Sequence, residues 1–338
     1  MTPHQYIERD TGRVITEKLF GDQLVNWLYS SVRERVPGFF NSLVSAKASE
    51  FLAYLNYQSR LCARFSGNRK WIAEFNIDLD ECLAPLEELD TPQKIFERKI
   101  RYWDTRPMPE DAIVSPADSR IVVGSLRENS SLRLKDKFFD FEELVGADKN
   151  EWLVAFSDGD FAIFRLTPDK YHYNHCPVSG RVIDFYEISG GYHSCNPGAV
   201  VHVATPFSKN KRTVTIIDTD VAGGAQVGLV AMVEVVALMI GDIVQSYSEE
   251  KYDSPQMISV GMLLKRGQPK SLYRPGSSTD VLLFQKEKIQ FAPEILSNMH
   301  HPSATSRFSL NFGAPLVETD LKVRSLIATA VRKETNLV

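Results

Sequence analysis

The chain has 338 residues, of which 43% are hydrophobic and 24% charged, and a formal net charge of -4 at pH 7. This composition is that of an ordinary globular protein, long enough for one large core or two modest ones. The small negative charge gives no global attraction to nucleic acid, and the short basic clusters at residues 98–101 and 209–212 are typical of solvated faces. We therefore predict no nucleic-acid partner.

Cysteine usage and the chain ends indicate the compartment. The four cysteines are scattered without C-x-x-C spacing, at Cys62, Cys82, Cys176 and Cys195. This pattern indicates neither a zinc ribbon nor a disulfide scaffold, and a reducing compartment is the simplest interpretation. The N-terminus lacks the basic flank and apolar stretch of a signal peptide. The most apolar window, residues 227–244, contains Glu234 and Asp242, so it predicts buried strands with a turn at Gly241-Asp242, and any membrane contact would be peripheral.

Residues 14–67 show helical spacing, with a Pro37-Gly38 break that separates two predicted helices. Aromatic residues are frequent in this region: Trp27, Tyr29, Phe39, Phe40, Phe51, Tyr54 and Tyr57. Two interpretations stay open, a helical layer packed on the core or an amphipathic surface on a bilayer with Trp and Tyr at the headgroup level. The residues favour packing, because the polar faces are not notably basic.

From Pro92 the pattern predicts a short helix over residues 93–101 and a loop over residues 103–110, after which strands dominate. The predicted strands are residues 113–114, 120–123, 152–156, 161–166, 182–186, 200–204, 213–217, 227–236, 243–247 and 281–284. A last helix is predicted over residues 321–333. No glycine loop follows a strand and opens a helix, which excludes a Rossmann fold. We predict an α+β protein, with an N-terminal helical layer (residues 1–104) on a predominantly antiparallel β core (residues 105–338).

Three segments carry residues with chemical potential. Residues 270–284 place Pro275-Gly276 and then Ser277, Ser278 and Thr279 before the apolar run 281–284, which alone predicts only a turn entering a strand. The other two segments are V-S-P-A-D-S at residues 114–119 and L-T-P-D-K-Y-H-Y-N-H-C-P-V-S-G at residues 166–180.

In this order and spacing the segments resemble the phosphatidylserine decarboxylase family, whose marks are S-P-x-D-G, P-x-D-Y-H-x-x-H-x-P-x-x-G and a G-S-T motif before the last strand. Further matches are the opening at residues 6–31, F-E-R-K at residues 96–99 with Arg106-Pro107, and Cys195-Asn196-Pro197. Several ordered motifs are much harder to obtain by chance than one.

The resemblance implies a self-processing, pyruvoyl-dependent carboxy-lyase. Asp118, His175 and a serine, Ser278 or Ser277, would form the set in which the serine attacks its own preceding carbonyl. The amide becomes an ester, and β-elimination splits the chain near residues 276–279 and leaves a pyruvoyl cofactor on the C-terminal fragment. That group forms a Schiff base with the substrate amine and accepts electrons as carbon dioxide leaves, and His172 is the candidate proton donor to the carbanion.

The implied reaction converts phosphatidylserine to phosphatidylethanolamine. The expected partner is a phospholipid substrate, drawn from a membrane that the protein contacts peripherally from the cytoplasm. The cleaved α and β fragments are expected to stay associated, and a homodimer is left open.

Departures from the family pattern concern the cleavage site. Ser119 replaces the family's glycine, so it would be strained, or its loop rearranged, if that glycine uses a positive φ. The lead-in G-Y-F-x-x-G is replaced by residues 271–276. Counting back from Thr279 and the strand selects Ser278 as the reactive serine, whereas keeping a Gly-Ser junction selects Ser277. We favour Ser278, because a one-residue shift reverses the facing side of a strand.

Alternatives follow from the same residues. His172, His175 and Cys176, with His193, are all zinc-competent, but Cys176 precedes Pro177 and is pushed away from a helical turn, so we predict no metal. The alternative functions are the same chemistry on a free amino acid, and an unprocessed inactive lipid-binding relative.

Overall fold

A computed structural model describes most of the chain outside the N-terminal third. The described residues are 2–19, 22, 27–36, 38, 40, 44, 72–73, 76–127, 138–203, 205–237, 242–276, 278–311 and 315–331. None of the helices in these ranges is long and apolar enough to cross a bilayer.

The described elements are mostly strands. In chain order the strands are β1 (Gln5–Glu8), β2 (Val14–Thr16), β3 (Ala112–Val114), β4 (Ser119–Ser125), β5 (Asp160–Leu166), β6 (Tyr173–His175), β7 (Gly180–Ile188), β8 (Arg212–Asp218), β9 (Leu229–Val236), β10 (Ile243–Gln245), β11 (Leu263–Leu264), β12 (Pro269–Tyr273), β13 (Ser278–Phe284), β14 (Ile289–Phe291), β15 (Glu318–Leu321) and β16 (Leu326–Ala330). The α-helices are α1 (Arg33–Arg35), α2 (Pro92–Phe96), α3 (Tyr102–Thr105), α4 (Phe141–Val145), α5 (Asn150–Phe156), α6 (Pro197–Val200), α7 (Pro206–Lys209) and α8 (Pro293–Met299). A π-helical turn, Leu28–Val32, precedes α1, and a 3₁₀ helix spans Arg307–Asn311.

A ten-stranded sheet forms the centre of the protein, in the order β11-β7-β8-β9-β13-β5-β4-β15-β1-β2. β1 and β15 run parallel, and the other described neighbours are antiparallel. β13 lies between β9 and β5, and all seven of its residues are buried. A strand that is covered on both faces reads as a continuous apolar run, which explains residues 281–284. The predicted α+β class with a mainly antiparallel core is confirmed.

Two three-stranded sheets complete the described β structure, β10-β12-β6 and β14-β16-β3. The first contacts the large sheet through polar side chains, because Asn174 of β6 and Ser271 of β12 hydrogen-bond Glu234 of β9. Glu234 faces Asp280 of β13 across the sheet. The β10-β12-β6 sheet therefore covers the β13 face that carries the side chains of Ser278 and Asp280, since residues two apart on a strand share a face.

The predicted strand over residues 152–156 is wrong, because this segment belongs to α5. Trp152 and Phe156 are buried, whereas Val154 between them is 74% exposed. Buried positions four residues apart form one face of a helix. A five-residue apolar segment does not reveal its period, and packing against the core decided between helix and strand.

Two other predicted elements are wrong in type. Residues 200–203 do not form a strand, because α6 occupies Pro197–Val200; the Asn196 side chain accepts from Gly198 N and Pro197 opens the helix. The predicted last helix covers residues 321–333, of which 332 and 333 lie outside the described residues; residues 321–331 contain the end of β15 and β16 instead. β16 pairs with β3 and β14, so partners distant in sequence override the local helical pattern.

The helix predicted over residues 93–101 is shorter than expected. α2 ends at Phe96, and Ile100 forms a bridge with Cys82. The Thr91 side chain accepts from Lys94 N at the N-terminus of α2, with Pro92 at the first helical position. A second helix, α3, occupies part of the predicted loop.

The predicted N-terminal helical layer lies mostly outside the described residues. Within them, the region contributes the turns Leu28–Val32 and α1, and also β1 and β2 at one edge of the large sheet.

Candidate active site

Ser278 is the first residue of β13, directly opposite Leu166 of β5 and Val236 of β9. It is fully buried, and its Oγ has no hydrogen-bond partner among the described residues. Burying a hydroxyl without a hydrogen-bond partner destabilises the folded protein by roughly 1–3 kcal/mol. Such an unsatisfied group calls for an explanation, and a functional role is one. Gly276 has a φ of 150°, a backbone conformation that side chains disfavour, in the turn before the strand. Ser277, the alternative serine, lies outside the described residues.

The two predicted histidines lie at the two ends of β6, which pairs with β12. His172 directly precedes β6 and His175 is its last residue. Tyr173 pairs with Leu272 of β12, and the backbone N–H of Tyr273 donates to His172 O at 3.1 Å. Because Tyr273 ends β12 a few residues before β13, this register places His172 near the start of β13, whereas His175 pairs with Pro269 at the other end of β12.

An apolar cluster joins these segments, and it is called the site cluster below. It consists of Phe96, Ala117, Leu166, Tyr192, Val236, Ile243 and Tyr273. Leu166 and Val236 flank Ser278, and Ala117 directly precedes Asp118 in the chain. Phe96 stacks on the His172 ring, with 3.5 Å between the ring centroids and 23° between the planes. The site cluster is therefore in contact with His172 and flanks Ser278.

His172 is fully buried, and neither ring nitrogen makes a well-formed hydrogen bond with the described part of the protein. Burial and the nearby charge of Arg98 hold the pKa of His172 well below its usual value, against a smaller opposing effect of the Lys170 backbone. The ring is therefore neutral.

His175 has both ring nitrogens engaged. Nδ1 lies 2.9 Å from Gly267 O, and Nε2 lies 3.0 Å from the Tyr171 hydroxyl. A carbonyl can only accept, so Nδ1 carries the proton and Nε2 accepts from Tyr171. Its backbone N–H donates to Pro116 O at 2.7 Å, which joins β6 to the loop before Asp118. Burial lowers the pKa of His175 to about 3, so this ring is also neutral.

Asp118 is held by Arg106 rather than by a histidine. Arg106 donates to both carboxylate oxygens, at 3.1 and 2.8 Å, and the Val323 N–H donates at 2.7 Å. Arg106 also makes a two-pronged contact with Glu81. Burial alone would raise the pKa of Asp118, but the charge and hydrogen bonds of Arg106 outweigh it, and the pKa lies below its usual value. Asp118 is therefore a fixed carboxylate.

Ser119, in the position of the family's glycine, is unstrained. It opens β4 and does not belong to the described residues with positive φ. Its hydroxyl donates to Ala117 O at 3.2 Å. The expected strain is absent, because the chain enters β4 directly after Asp118.

Ser278, His172 and the loop before Asp118 lie beside the site cluster, whereas His175 packs against Tyr102 and Tyr171. Within the described residues, no hydrogen bond joins Asp118 to His175 or His175 to Ser278. The roles of these four residues, and of Ser277, stay predictions.

Comparison with known proteins decides the family. The family model described as phosphatidylserine decarboxylase matches residues 93–304. The chain belongs to the phosphatidylserine decarboxylase family. Among the most similar relatives, the phosphatidylserine decarboxylase proenzyme of Fusobacterium nucleatum is 29% identical over 306 residues, 89% of this chain and 94% of that protein. The proenzymes of Clostridium perfringens and Chlamydia trachomatis are each 30% identical over 294 residues, covering 85% and 86% of this chain and 91% and 90% of theirs.

This family member also contains a buried polar network that the motifs did not predict. Glu234 Oε2 accepts from Lys270 Nζ at 2.7 Å and from Gln245 Nε2 at 3.0 Å, and Oε1 accepts from Asn174 and Ser271. Glu234 and Lys270 are both fully buried. The available signal was one glutamate within an apolar strand, a residue type that is almost never fully buried unless paired.

The zinc alternative is not supported by the geometry. In the part of the chain that the structure describes, the one group of three or more metal-competent side chains that converge is His4, Glu17 and Glu318. His172, His175, Cys176 and His193 form no such group. The Glu17 and Glu318 carboxylates are both bound by Arg165, and Arg120 also pairs with Glu17. This decarboxylase-family chain therefore uses that group as an ion-pair network.

Proposed function

We propose that this protein is a self-processing carboxy-lyase that converts phosphatidylserine to phosphatidylethanolamine, with a pyruvoyl group made from Ser278. The observation that carries the proposal is the fully buried Ser278 beside the site cluster, whose Oγ has no partner among the described residues, in a chain of this family. The relatives' names support it, since they describe proenzymes that act on phosphatidylserine.

In the proposed maturation, the Ser278 hydroxyl attacks the carbonyl carbon of residue 277. The new C–O bond forms as the C–N bond breaks, and the nitrogen of Ser278 takes up a proton. β-Elimination then removes the Cα proton of Ser278 and breaks its Cβ–Oγ bond, so that the larger fragment leaves with a C-terminal carboxylate. Water replaces the remaining nitrogen, which leaves as ammonia, and the pyruvoyl carbonyl is formed. His175 is proposed as the base and Asp118 as the carboxylate that steadies the charged ring. Support for these roles is the backbone link from His175 N to Pro116 O and the ionised state of Asp118. Ser277 stays the alternative nucleophile.

When formed, the pyruvoyl group supplies a carbonyl that takes up the substrate amine and accepts electrons as carbon dioxide leaves. His172 is proposed to hold the proton that returns to the substrate carbon. Support for this role is its fully buried, neutral ring, stacked on Phe96. General acid catalysis of this kind contributes about 10² to 10⁴ in rate.

The sheet topology supports lasting association of the α and β fragments. Cleavage before Ser278 would place β13 in the smaller fragment, while its neighbours β5 and β9 stay in the larger one. β15 would likewise stay paired with β4 and β1. The fragments are therefore joined by a shared core after the peptide bond is broken. A homodimer is a further part of the proposal.

We also propose peripheral membrane contact from the cytoplasm, through the helical layer of residues 1–104, with residues 105–338 as the catalytic core. Exposed apolar side chains in the described part of the first region support this, because Trp27 is 54% and Val36 52% exposed. β1 and β2 of the first region belong to the same ten-stranded sheet as the strands of the core, so one sheet joins the two regions.

The experiment is carbon dioxide release from phosphatidylserine vesicles and from a panel of free amino acids. The wild-type protein is expected to release carbon dioxide from vesicles, and Ser278→Ala is expected to stay uncleaved and inactive. Ser277→Ala serves as the control, because it should retain cleavage if Ser278 reacts. Release from free amino acids alone would show the same chemistry on a soluble substrate. Vesicle binding without cleavage or turnover would show an inactive lipid-binding relative.

A further inference from the structure

The Tyr273 hydroxyl lies between β9 and β13. It is beside Thr279, the residue that follows Ser278. Thr279 and Val235 face each other in the register of the two strands. The Val235 N–H donates to the Tyr273 hydroxyl at 3.1 Å, and this hydroxyl lies 3.0 Å from Thr279 O. Tyr273 is fully buried at this position. A side-chain hydroxyl therefore bridges two facing backbone groups at the point where β13 begins.

Asp280 is the third partner of the same hydroxyl, with Oδ1 at 2.7 Å. The Val235 N–H can only donate and the Thr279 carbonyl can only accept, whereas Tyr273 has a single hydroxyl proton. If that proton goes to Thr279 O, the contact with Asp280 is a hydrogen bond only when Asp280 is neutral and donates to Tyr273. All three contacts are satisfied together only with a protonated Asp280.

The surroundings of Asp280 keep it neutral. It is fully buried, and its Oδ2 has no partner among the described residues. From β9 it faces Glu234, and from β5 it faces Phe164, which carries no charge. From β12 the nearby cation is Lys270, which is already paired with Glu234 at 2.7 Å. Burial first, and then the charge of Glu234, raise the pKa of Asp280 well above its usual value.

We propose that Tyr273 and neutral Asp280 are positioning residues for self-cleavage: the Asp280 proton directs the Tyr273 hydroxyl to Thr279 O, which fixes the backbone of Ser278 for attack on the preceding carbonyl. This inference rests on the proposed function. Neither residue touches the reacting atoms. When Asp280 ionises, its carboxylate becomes the stronger acceptor and takes the Tyr273 proton, so Thr279 O loses its donor. Cleavage therefore slows as the pH rises through the ionisation of Asp280.

The test is the rate of cleavage as a function of rising pH, followed by intact mass during cell-free synthesis. Tyr273→Phe and Asp280→Leu are expected to slow cleavage about tenfold, the upper effect of one buried hydrogen bond. Asp280→Asn is expected to recover most of the rate, because its amide donates to Tyr273, and to lack the alkaline decline of the wild type.

Tyr247→Phe is the matched control. Its hydroxyl bridges backbone groups in the same way, accepting from Lys265 N at 3.0 Å and donating to Leu263 O at 3.3 Å. Tyr247 is also buried, at 2% exposure, but no described carboxylate hydrogen-bonds it. This variant is expected to cleave at the wild-type rate with the wild-type pH profile.

Failure of the inference differs from failure of the proposed function. A wild-type chain that stays whole at every pH, or a Ser278→Ala chain that is still cleaved before residue 278, rejects the proposed self-cleavage. A wild-type chain that cleaves, with the same alkaline decline in Asp280→Asn, overturns the positioning role. If Tyr273→Phe does not fold, judged by its urea midpoint against Tyr247→Phe, the pH profile of Asp280→Asn decides the question.

Discussion

Replacing Lys270 by Met tests whether the buried polar network around Glu234 depends on the charge of Lys270 for its stability. Lys270 Nζ donates to Glu234 Oε2 at 2.7 Å and to Gln245 Oε1 at 3.0 Å, and the side chains of Lys270 and Glu234 are completely buried. Met keeps most of the side-chain volume but leaves the charge of Glu234 uncompensated. Removing one partner of a buried ion pair costs about 3–5 kcal/mol of stability. Because Glu234 keeps its other hydrogen bonds, we expect the free energy of unfolding to fall by about 3 kcal/mol.

The assay is urea unfolding in a Ser278→Ala background, so that every variant is one uncleaved chain. Lys265→Met is the control, because Lys265 pairs with Glu249 at the same 2.7 Å, but the two side chains are 56% and 62% exposed. Its loss should stay below about 1 kcal/mol. The double variant Glu234→Gln/Lys270→Met should recover most of the stability, since both charges are gone.

Two results would refute this reasoning. Lys270→Met could cost no more than Lys265→Met, which would mean that the Glu234 charge needs no partner. The double variant could lose the sum of its single losses, which would mean that the two side chains act independently.

Two further predictions concern the histidine and the aspartate of the site. Because the pKa of His175 is about 3 in the folded protein and about 6.5 in an unfolded chain, the unfolded chain binds the extra proton between these values. The free energy of unfolding of the Ser278→Ala chain should therefore fall by about 1.4 kcal/mol per pH unit as the pH is lowered through this window. The same chain with His175→Asn should lack this component. Identical pH slopes for the two chains would contradict a neutral His175. Arg106→Met should cost about 3–5 kcal/mol in urea unfolding, because Asp118 then keeps its buried charge with the Val323 N–H as a remaining donor. Arg106→Lys should recover part of that loss, and equal losses for Lys and Met would argue against a charged contact.

The strands with continuous apolar runs were predictable from the sequence. Residues 281–284 and 229–236 are covered on both faces, so their composition alone indicates central strands. Trp152 and Phe156 show the limit, because an apolar segment of five residues fits either period. β16 shows another, since its partners β3 and β14 come from other parts of the chain.

The residues of the candidate site were predictable from the sequence, but their contacts were not. Motifs supplied Asp118, His172, His175 and the two serines, because these residues lie in short ordered segments. Their hydrogen-bond partners were not predicted. Gly267 O reaches His175 only through the pairing of β6 with β12, and Tyr273 meets Asp280 only because β12 lies against β13. Such contacts depend on the register between strands, which a single sequence does not state.

The most direct test of the account is the intact mass of the freshly purified protein. The account predicts two fragments, residues 1–277 and residues 278–338, with a pyruvoyl group at the start of the smaller one. A smaller fragment that starts at residue 277 would assign the reaction to Ser277. A single chain of 338 residues, under conditions in which Ser278→Ala and the wild type are equally folded, would contradict self-cleavage and the enzyme activity proposed from it.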